Sequence, residues 1–168
     1  MAALSVLQPV GVVGAGAMGA GIAQVAALAG HPVRLFDLRA DAARQAVDSQ
    51  RAQLAQLAGK GRLDAALAEA ASARLSAVSE LAELAGCALV IEAIVEQLEA
   101  KQALFSQLEA IVGDDALLAS NTSSISLTAI AAPLTRPQRL AGLHFFNPAP
   151  RMALVEVIAG DRKSTRLN

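Results

Sequence analysis

Val10-Gly11-Val12-Val13 runs directly into Gly14-Ala15-Gly16-Ala17-Met18-Gly19, and a helix-forming stretch, Gly21 to Ala29, follows at once. A β-rich run, a turn with three glycines and a helix leave few folds open, because this order is the first half of a parallel βαβ unit. The second half is also legible. Gly30-His31-Pro32 ends the helix, and Val33-Arg34-Leu35-Phe36-Asp37 reads as a strand that stops on a carboxylate.

Each glycine has a physical reason to be there. Gly14 permits the tight turn, Gly16 lets the backbone approach a pyrophosphate, and Gly19 allows close packing of helix on strand, while the helix N-terminus attracts the anion. Taken alone, the glycines admit a packing-only explanation. The preceding strand, the following helix and Asp37, twenty-three residues after Gly14, favour a dinucleotide site. Asp37 would accept the adenosine ribose hydroxyls and repel a 2′-phosphate, which prefers NAD to NADP; Arg39 argues the other way.

Downstream, residues 41 to 72 have helical spacing broken at Gly59-Lys60-Gly61, which predicts two antiparallel helices. Leu75 to Val78, Cys87 to Glu92, Leu117 to Ser120, Leu140 to His144 and Leu154 to Ile158 read as strands, and residues 97 to 111 as a helix. A further helix is expected near Ile125, with Asn121, Thr122 or Ser124 capping it. Strands alternating with helices predict an α/β fold with a doubly wound, mostly parallel sheet and a helical-pair insertion. Ligands of such sheets lie beyond the carboxyl ends of the strands, where Asp37, residues 92–96, Asn121 to Ser123 and His144 to Asn147 all fall.

The composition narrows the function classes. With 168 residues, 54% of them hydrophobic, one well-buried domain is expected. Only 2% are aromatic, which argues against base stacking on single-stranded nucleic acid. Three of the 14 Lys/Arg and one of the 15 Asp/Glu lie in the last eight residues, so residues 1–160 carry a net charge of −3 and present no basic surface for nucleic acid. No uninterrupted apolar stretch is long enough to span a membrane, and no basic leader precedes the apolar N-terminus. Cys87 stands alone, so neither a disulfide nor a cysteine metal cluster is expected, and a cytoplasmic location fits.

One constellation remains. His144-Phe145-Phe146-Asn147-Pro148 is followed by Glu156, twelve residues after the histidine, and an imidazole with a carboxylate at that distance reads as a catalytic base and its orienter. A structural His and a surface Glu are the bland alternative.

The glycine motif, Asp37, Glu92-Ala93-Ile94-Val95-Glu96, Asn121-Thr122-Ser123-Ser124 and His144 to Asn147, in this order, resemble the Rossmann-like NAD-binding domain of 3-hydroxyacyl-CoA dehydrogenases over about residues 8 to 160. Ser123 to Ala132 and Ala141 to Pro150 look especially like the 3-hydroxyadipyl-CoA dehydrogenases of bacterial phenylacetate degradation. The resemblance implies oxidation of an (S)-3-hydroxyacyl-CoA to the 3-oxoacyl-CoA, with hydride transfer to NAD, as in β-oxidation of fatty acids. It casts His144 as general base, Glu156 as its orienter, Ser123 as hydrogen-bond partner of the reacting oxygen, and Asn147 beside nicotinamide and substrate. It places NAD against Gly14, Gly16, Ala17, Met18, Gly19, Asp37, Glu96, Lys101, Ser123 and Asn147, and the acyl-CoA against Ser123, His144, Asn147 and Lys60. Read without the resemblance, Glu96 and Lys101 are a solvated charge pair at a helix start.

The family pattern also carries a helical C-terminal domain that forms a homodimer and closes over the acyl-CoA. Residues 161–168 depart from the pattern and read as a truncation or frame-shift scar. Ala153, where the family often has lysine, and Arg151 predict an altered substrate preference. An NAD-binding module without turnover is the alternative, and the His144–Glu156 pair counts against it because pure binding has no use for a base. A dehydrogenase of small 3-hydroxy acids ranks last, since it predicts a catalytic lysine.

Overall fold

The computed structural model describes residues 4–39 and 41–159; the 161–168 tail lies outside them. Seven strands, β1 (Val10–Val13), β2 (Val33–Phe36), β3 (Leu75–Val78), β4 (Leu89–Glu92), β5 (Leu117–Ser120), β6 (Leu140–Phe145) and β7 (Val155–Ala159), form one sheet in the order β3-β2-β1-β4-β5-β6-β7. All pairings are parallel except β6 with β7. The chain leaves β1 toward β2 and later returns to its other side at β4, so the strand order reverses between β1 and β4 and opens a crevice there. This is the Rossmann-like α/β architecture that the alternating pattern predicts.

Five helices cover the sheet: α1 (Ala17–Leu28), α2 (Ala42–Gly59), α3 (Ala65–Arg74), α4 (Leu98–Ile111) and α5 (Leu127–Ala131). Alternate residues of a strand point to opposite faces, and here each face meets a separate core. Val12, Leu35, Ile91 and Ala119 join Ile22, Ala23 and Leu54 on one side. Val13, Phe36, Val90 and Leu118 join Phe105, Leu108 and Ile130 on the other, together with buried Cys87. Fully buried leucines such as Leu35, Leu54 and Leu118 each contribute about 1.5–3 kcal/mol, which is how a chain without Trp or Tyr builds two cores.

Element starts differ from the sequence expectation most clearly at α1, β4 and α5, each for a local reason. Helix α1 begins at Ala17 rather than Gly21, with Gly16 as N-cap and Ala20 N–H already donating to the Gly16 carbonyl at 2.9 Å; the glycines conceal a turn that is helical from the start. Strand β4 begins at Leu89 rather than Cys87, because Gly86 at φ +118° and the Cys87 N–H bond to Leu84 O close a 3-10 turn (Leu81–Leu84) first. Helix α5 is capped by Ser126, whose hydroxyl accepts from Ala129 N–H, and so starts two residues after Ile125. Strand β7 is antiparallel and forms the sheet edge, with Leu154, Val157 and Ile158 exposed along it. Among the described residues no helix is long and apolar enough to cross a membrane.

The crevice depends on two glycines. Gly14 sits at φ +103°, and a Cβ on it would lie 2.5 Å from Ala93 O; a Cβ on Gly19 would lie 1.8 Å from Gly14 O. Both obstacles are backbone atoms, so α1 would have to lift off the sheet. Gly19→Ala is expected to destabilise the fold by about 3 kcal/mol. Gly59→Ala, at a helix position with open space around it, should be neutral or stabilising by up to about 1 kcal/mol. Urea unfolding of the two variants beside the parent chain checks both.

Candidate functional site

The carboxyl ends of β1, β4, β5 and β6 surround an open cavity of about 330 Å³. It is lined by Met18 of the glycine turn, Glu96 and Lys101, Asn121 and Ser123, and His144, Phe146 and Asn147. Residues drawn from four of the five sequence motifs are therefore neighbours, Asp37 lying outside this cavity. Lys60 is not among them: it is exposed at the turn between α2 and α3.

At the glycine turn, no side chain caps α1, and the position a Gly16 Cβ would occupy is open space. The first N–H groups of the helix are thus free to meet an anion, with room for it to approach. Asp37, at the end of β2, takes an N–H from Ala15 at 2.8 Å on Oδ2 and from Arg39 at 2.9 Å on Oδ1. Burial raises its pKa, but these two N–H groups and the Arg39 guanidinium outweigh burial and hold the carboxyl below its ordinary value. Oδ1 also accepts from Arg39 Nε at 3.4 Å, and Oδ2 keeps a lone pair for a ribose hydroxyl. The chain's own residues therefore fit a dinucleotide.

A charge network lies under the cavity floor. Lys101 Nζ contacts Glu92 Oε1 at 2.5 Å and Glu96 Oε2 at 3.1 Å. Lys101 is 1% exposed, so the solvated-surface reading of Glu96 and Lys101 fails for the lysine, and both residues border the cavity. Glu96 Oε1 in turn accepts from the Thr122 hydroxyl, from the Ser123 N–H at 3.2 Å, and from the N–H and hydroxyl of Ser124 at 3.3 Å each. Thr122 Oγ1 accepts from Ile125 N–H at 3.0 Å, so Thr122 shapes the turn before α5 without capping the helix. Asn121 does not cap either: its Oδ1 accepts from Phe145 N–H at 2.8 Å and ties the ends of β5 and β6 together.

Glu92 and Ser120 escaped the sequence reading of the site. The signal was present, since Glu92 ends the apolar run Leu89-Val90-Ile91, and a carboxylate in a strand covered on both faces demands a partner.

His144 and Glu156 are direct cross-strand partners in the β6–β7 register. Side chains of opposed residues lie on one face, so a separation of twelve residues in sequence becomes a contact of 2.8 Å between Nδ1 and Glu156 Oε2. A carboxylate only accepts, so Nδ1 donates, and Nε2 is left as the ring atom able to take a proton. The Phe146 ring packs on the imidazole at 4.7 Å between centroids, tilted by 54°. Ser123 and Asn147 are exposed at the same cavity.

The electrostatics of Glu96 have a measurable sign. Burial raises its pKa, yet the Thr122 hydroxyl and the Lys101 ammonium outweigh burial and pull it from 4.5 to about 2. A depressed carboxyl stabilises the fold fully above its ordinary pKa, and the contribution is lost as pH falls through the folded-state value. Stability should fall between pH 4.5 and about 2, and Glu96→Gln should make that fall shallower; urea midpoints of the two proteins across this window test it.

The sequence matches the family described as 3-hydroxyacyl-CoA dehydrogenase, NAD binding domain, over residues 9–167. It is 51% identical over 154 residues to the 3-hydroxyadipyl-CoA dehydrogenase of Escherichia coli (strain K12), a match covering 92% of this chain and 32% of that protein. It is 44% identical over 149 residues to the probable 3-hydroxybutyryl-CoA dehydrogenase of Bacillus subtilis (strain 168), covering 89% and 52% respectively. The crystal structure of 3-hydroxybutyryl-CoA dehydrogenase from Escherichia coli K12 superposes with a TM-score of 0.87 at 52% identity, over 90% of this chain and 32% of that one. The chain thus spans about a third to a half of the length of these relatives. NAD is the cofactor of this domain, and the chain belongs to the NAD-binding domain family of the 3-hydroxyacyl-CoA dehydrogenases.

Proposed function

We propose that residues 1–160 form the NAD-binding domain of a dehydrogenase that interconverts (S)-3-hydroxyacyl-CoA and 3-oxoacyl-CoA, and that the domain brings its own general base. The observation that carries this reading is the His144–Glu156 pair on the cavity that the glycine turn also borders. When bound, NAD supplies the hydride acceptor for the carbinol carbon. The chain's residues handle the proton. His144 Nε2 takes it from the substrate hydroxyl as the carbonyl forms, and returns it in the reverse direction. Glu156 keeps the imidazole in the tautomer with the free Nε2 and stabilises the imidazolium that results.

The Ser123 hydroxyl hydrogen-bonds the reacting oxygen, and Asn147 orients nicotinamide and substrate. Gly14, Gly16, Ala17, Met18 and Gly19 hold the pyrophosphate, Asp37 the adenosine ribose, and Glu96, backed by Lys101, the nicotinamide half. Lys60, exposed on the α2–α3 turn, is available to the CoA phosphates outside the cavity. The 51% identity to a 3-hydroxyadipyl-CoA dehydrogenase and the 52% identity to a 3-hydroxybutyryl-CoA dehydrogenase both support a 3-hydroxyacyl-CoA substrate, without choosing between the two acyl chains. Buried Cys87 suits a reducing cytoplasm, and the apolar residues exposed on β7 suit a surface covered by further protein in a homodimeric whole enzyme.

Calorimetric titration with NADH and NADPH, followed by acetoacetyl-CoA-dependent loss of NADH absorbance, tests the proposal. NADH should bind in preference to NADPH, and Asp37→Ala should weaken NADH binding by about tenfold or more. His144→Ala should lower any turnover by about 10²- to 10⁴-fold while leaving NADH affinity within about threefold. NADH binding with no turnover would support a folded but incomplete dehydrogenase, and a folded chain that ignores NADH would overturn the cofactor assignment.

A further inference from the structure

Glu92 is the most deeply buried carboxylate of the described residues, at 0% exposure, and the proton-transfer scheme gives it nothing to do. Its position is unusual. It ends β4, in register with Val13 of β1 on one side and Ser120 of β5 on the other, directly beneath the point where the strand order reverses. Its Oε1 accepts from Ile94 N–H at 2.7 Å and from Lys101 Nζ at 2.5 Å, and its Oε2 accepts from Ser120 Oγ at 2.6 Å.

Two paths lead from Glu92 to the same short turn. Through Ser120, whose hydroxyl oxygen accepts from Thr122 N–H at 3.2 Å, it reaches the start of the 122–124 segment. Through Lys101 it reaches Glu96, which gathers the Thr122 hydroxyl and the N–H groups of Ser123 and Ser124. A buried ion pair costs several kcal/mol of desolvation per ion, and apolar residues of similar shape often fold as well or better. What the pair adds is therefore position rather than stability.

We propose that Glu92 is a positioning residue: it anchors Lys101 in the core so that Lys101 holds Glu96 in place, and Glu96 fixes the turn that presents Ser123 to the cofactor and substrate. The proposal rests on the assignment of Ser123 to the site. Without the Glu92 charge, the Lys101 ammonium, only 1% exposed, has Glu96 as its remaining carboxylate and draws it inward, off the turn.

Two variants of the 168-residue chain test this: Glu92→Gln, and Glu92→Gln combined with Lys101→Met, which removes both charges while the introduced amide oxygen still accepts from Ile94 N–H. Three readouts are compared: melting temperature, the amide proton and nitrogen NMR shifts of Ser123 and Ser124 without ligand, and NADH affinity. The double variant should melt close to the parent chain. In both variants the Ser123 and Ser124 amide signals should nevertheless move upfield as their carboxylate bond weakens, and NADH should bind about 10- to 100-fold more weakly, the loss expected from one charge-assisted hydrogen bond. A double variant with parent-like amide shifts and NADH affinity would overturn the proposal, as would failure of both variants to fold, since Glu92 would then be a folding determinant only. The amide shifts are read without NADH, so a parent chain that binds no NADH would defeat the functional reading while leaving the positioning of the turn separately decided.

Discussion

Everything at the site depends on how closely α1 lies against the first strand. The Gly14 carbonyl stands where a side chain on residue 19 would have to be, and the Ala93 carbonyl stands where one on residue 14 would be. Only with both side chains absent can the helix start directly over the β1–β4 junction. Its unpartnered N–H groups, the Asp37 carboxylate and the floor formed by residues 92–96 then share one crevice. A van der Waals exclusion of a few atoms thus decides where an anion can be held.

The second determinant is a change of strand direction. A parallel sheet brings together the carboxyl ends of its strands, which gathers loops and, at Glu92 and Ser120, pairs two side chains across β4 and β5. The antiparallel return of β7 adds a pair at the far edge, setting Glu156 opposite His144 and leaving Nε2 of the ring without a carboxylate partner. The exposed position of β7 at the sheet edge keeps the pair accessible from the cavity side. On the proposed reading, the parallel part of the sheet builds the cofactor half of the site and its antiparallel edge the acid–base half.

Much of this was legible in the chain. The glycine turn, Asp37 and the alternation of apolar runs announce the fold because each reports a constraint local in sequence. His144 and Glu156 are legible as a pair because a hairpin-like return converts sequence distance to register. What could not be read is the burial of Lys101: spacing places it one turn into a helix that starts at the surface, and only the packing of α4 against β4 and β5 takes its ammonium out of water. The same packing gives Glu92 its partner. The starts of α1, β4 and α5 differ from expectation for a common reason, namely that glycine and serine hide a boundary that hydrogen bonds define.

The central claim is that Glu156 fixes the His144 ring so that Nε2 is its proton acceptor. The most direct measurement is the imidazole nitrogen NMR spectrum of His144 at a pH where the ring is neutral. A protonated Nδ1 and an unprotonated Nε2 are expected, with that preference lost in Glu156→Ala. A neutral ring protonated at Nε2, or a tautomer indifferent to Glu156, would contradict it.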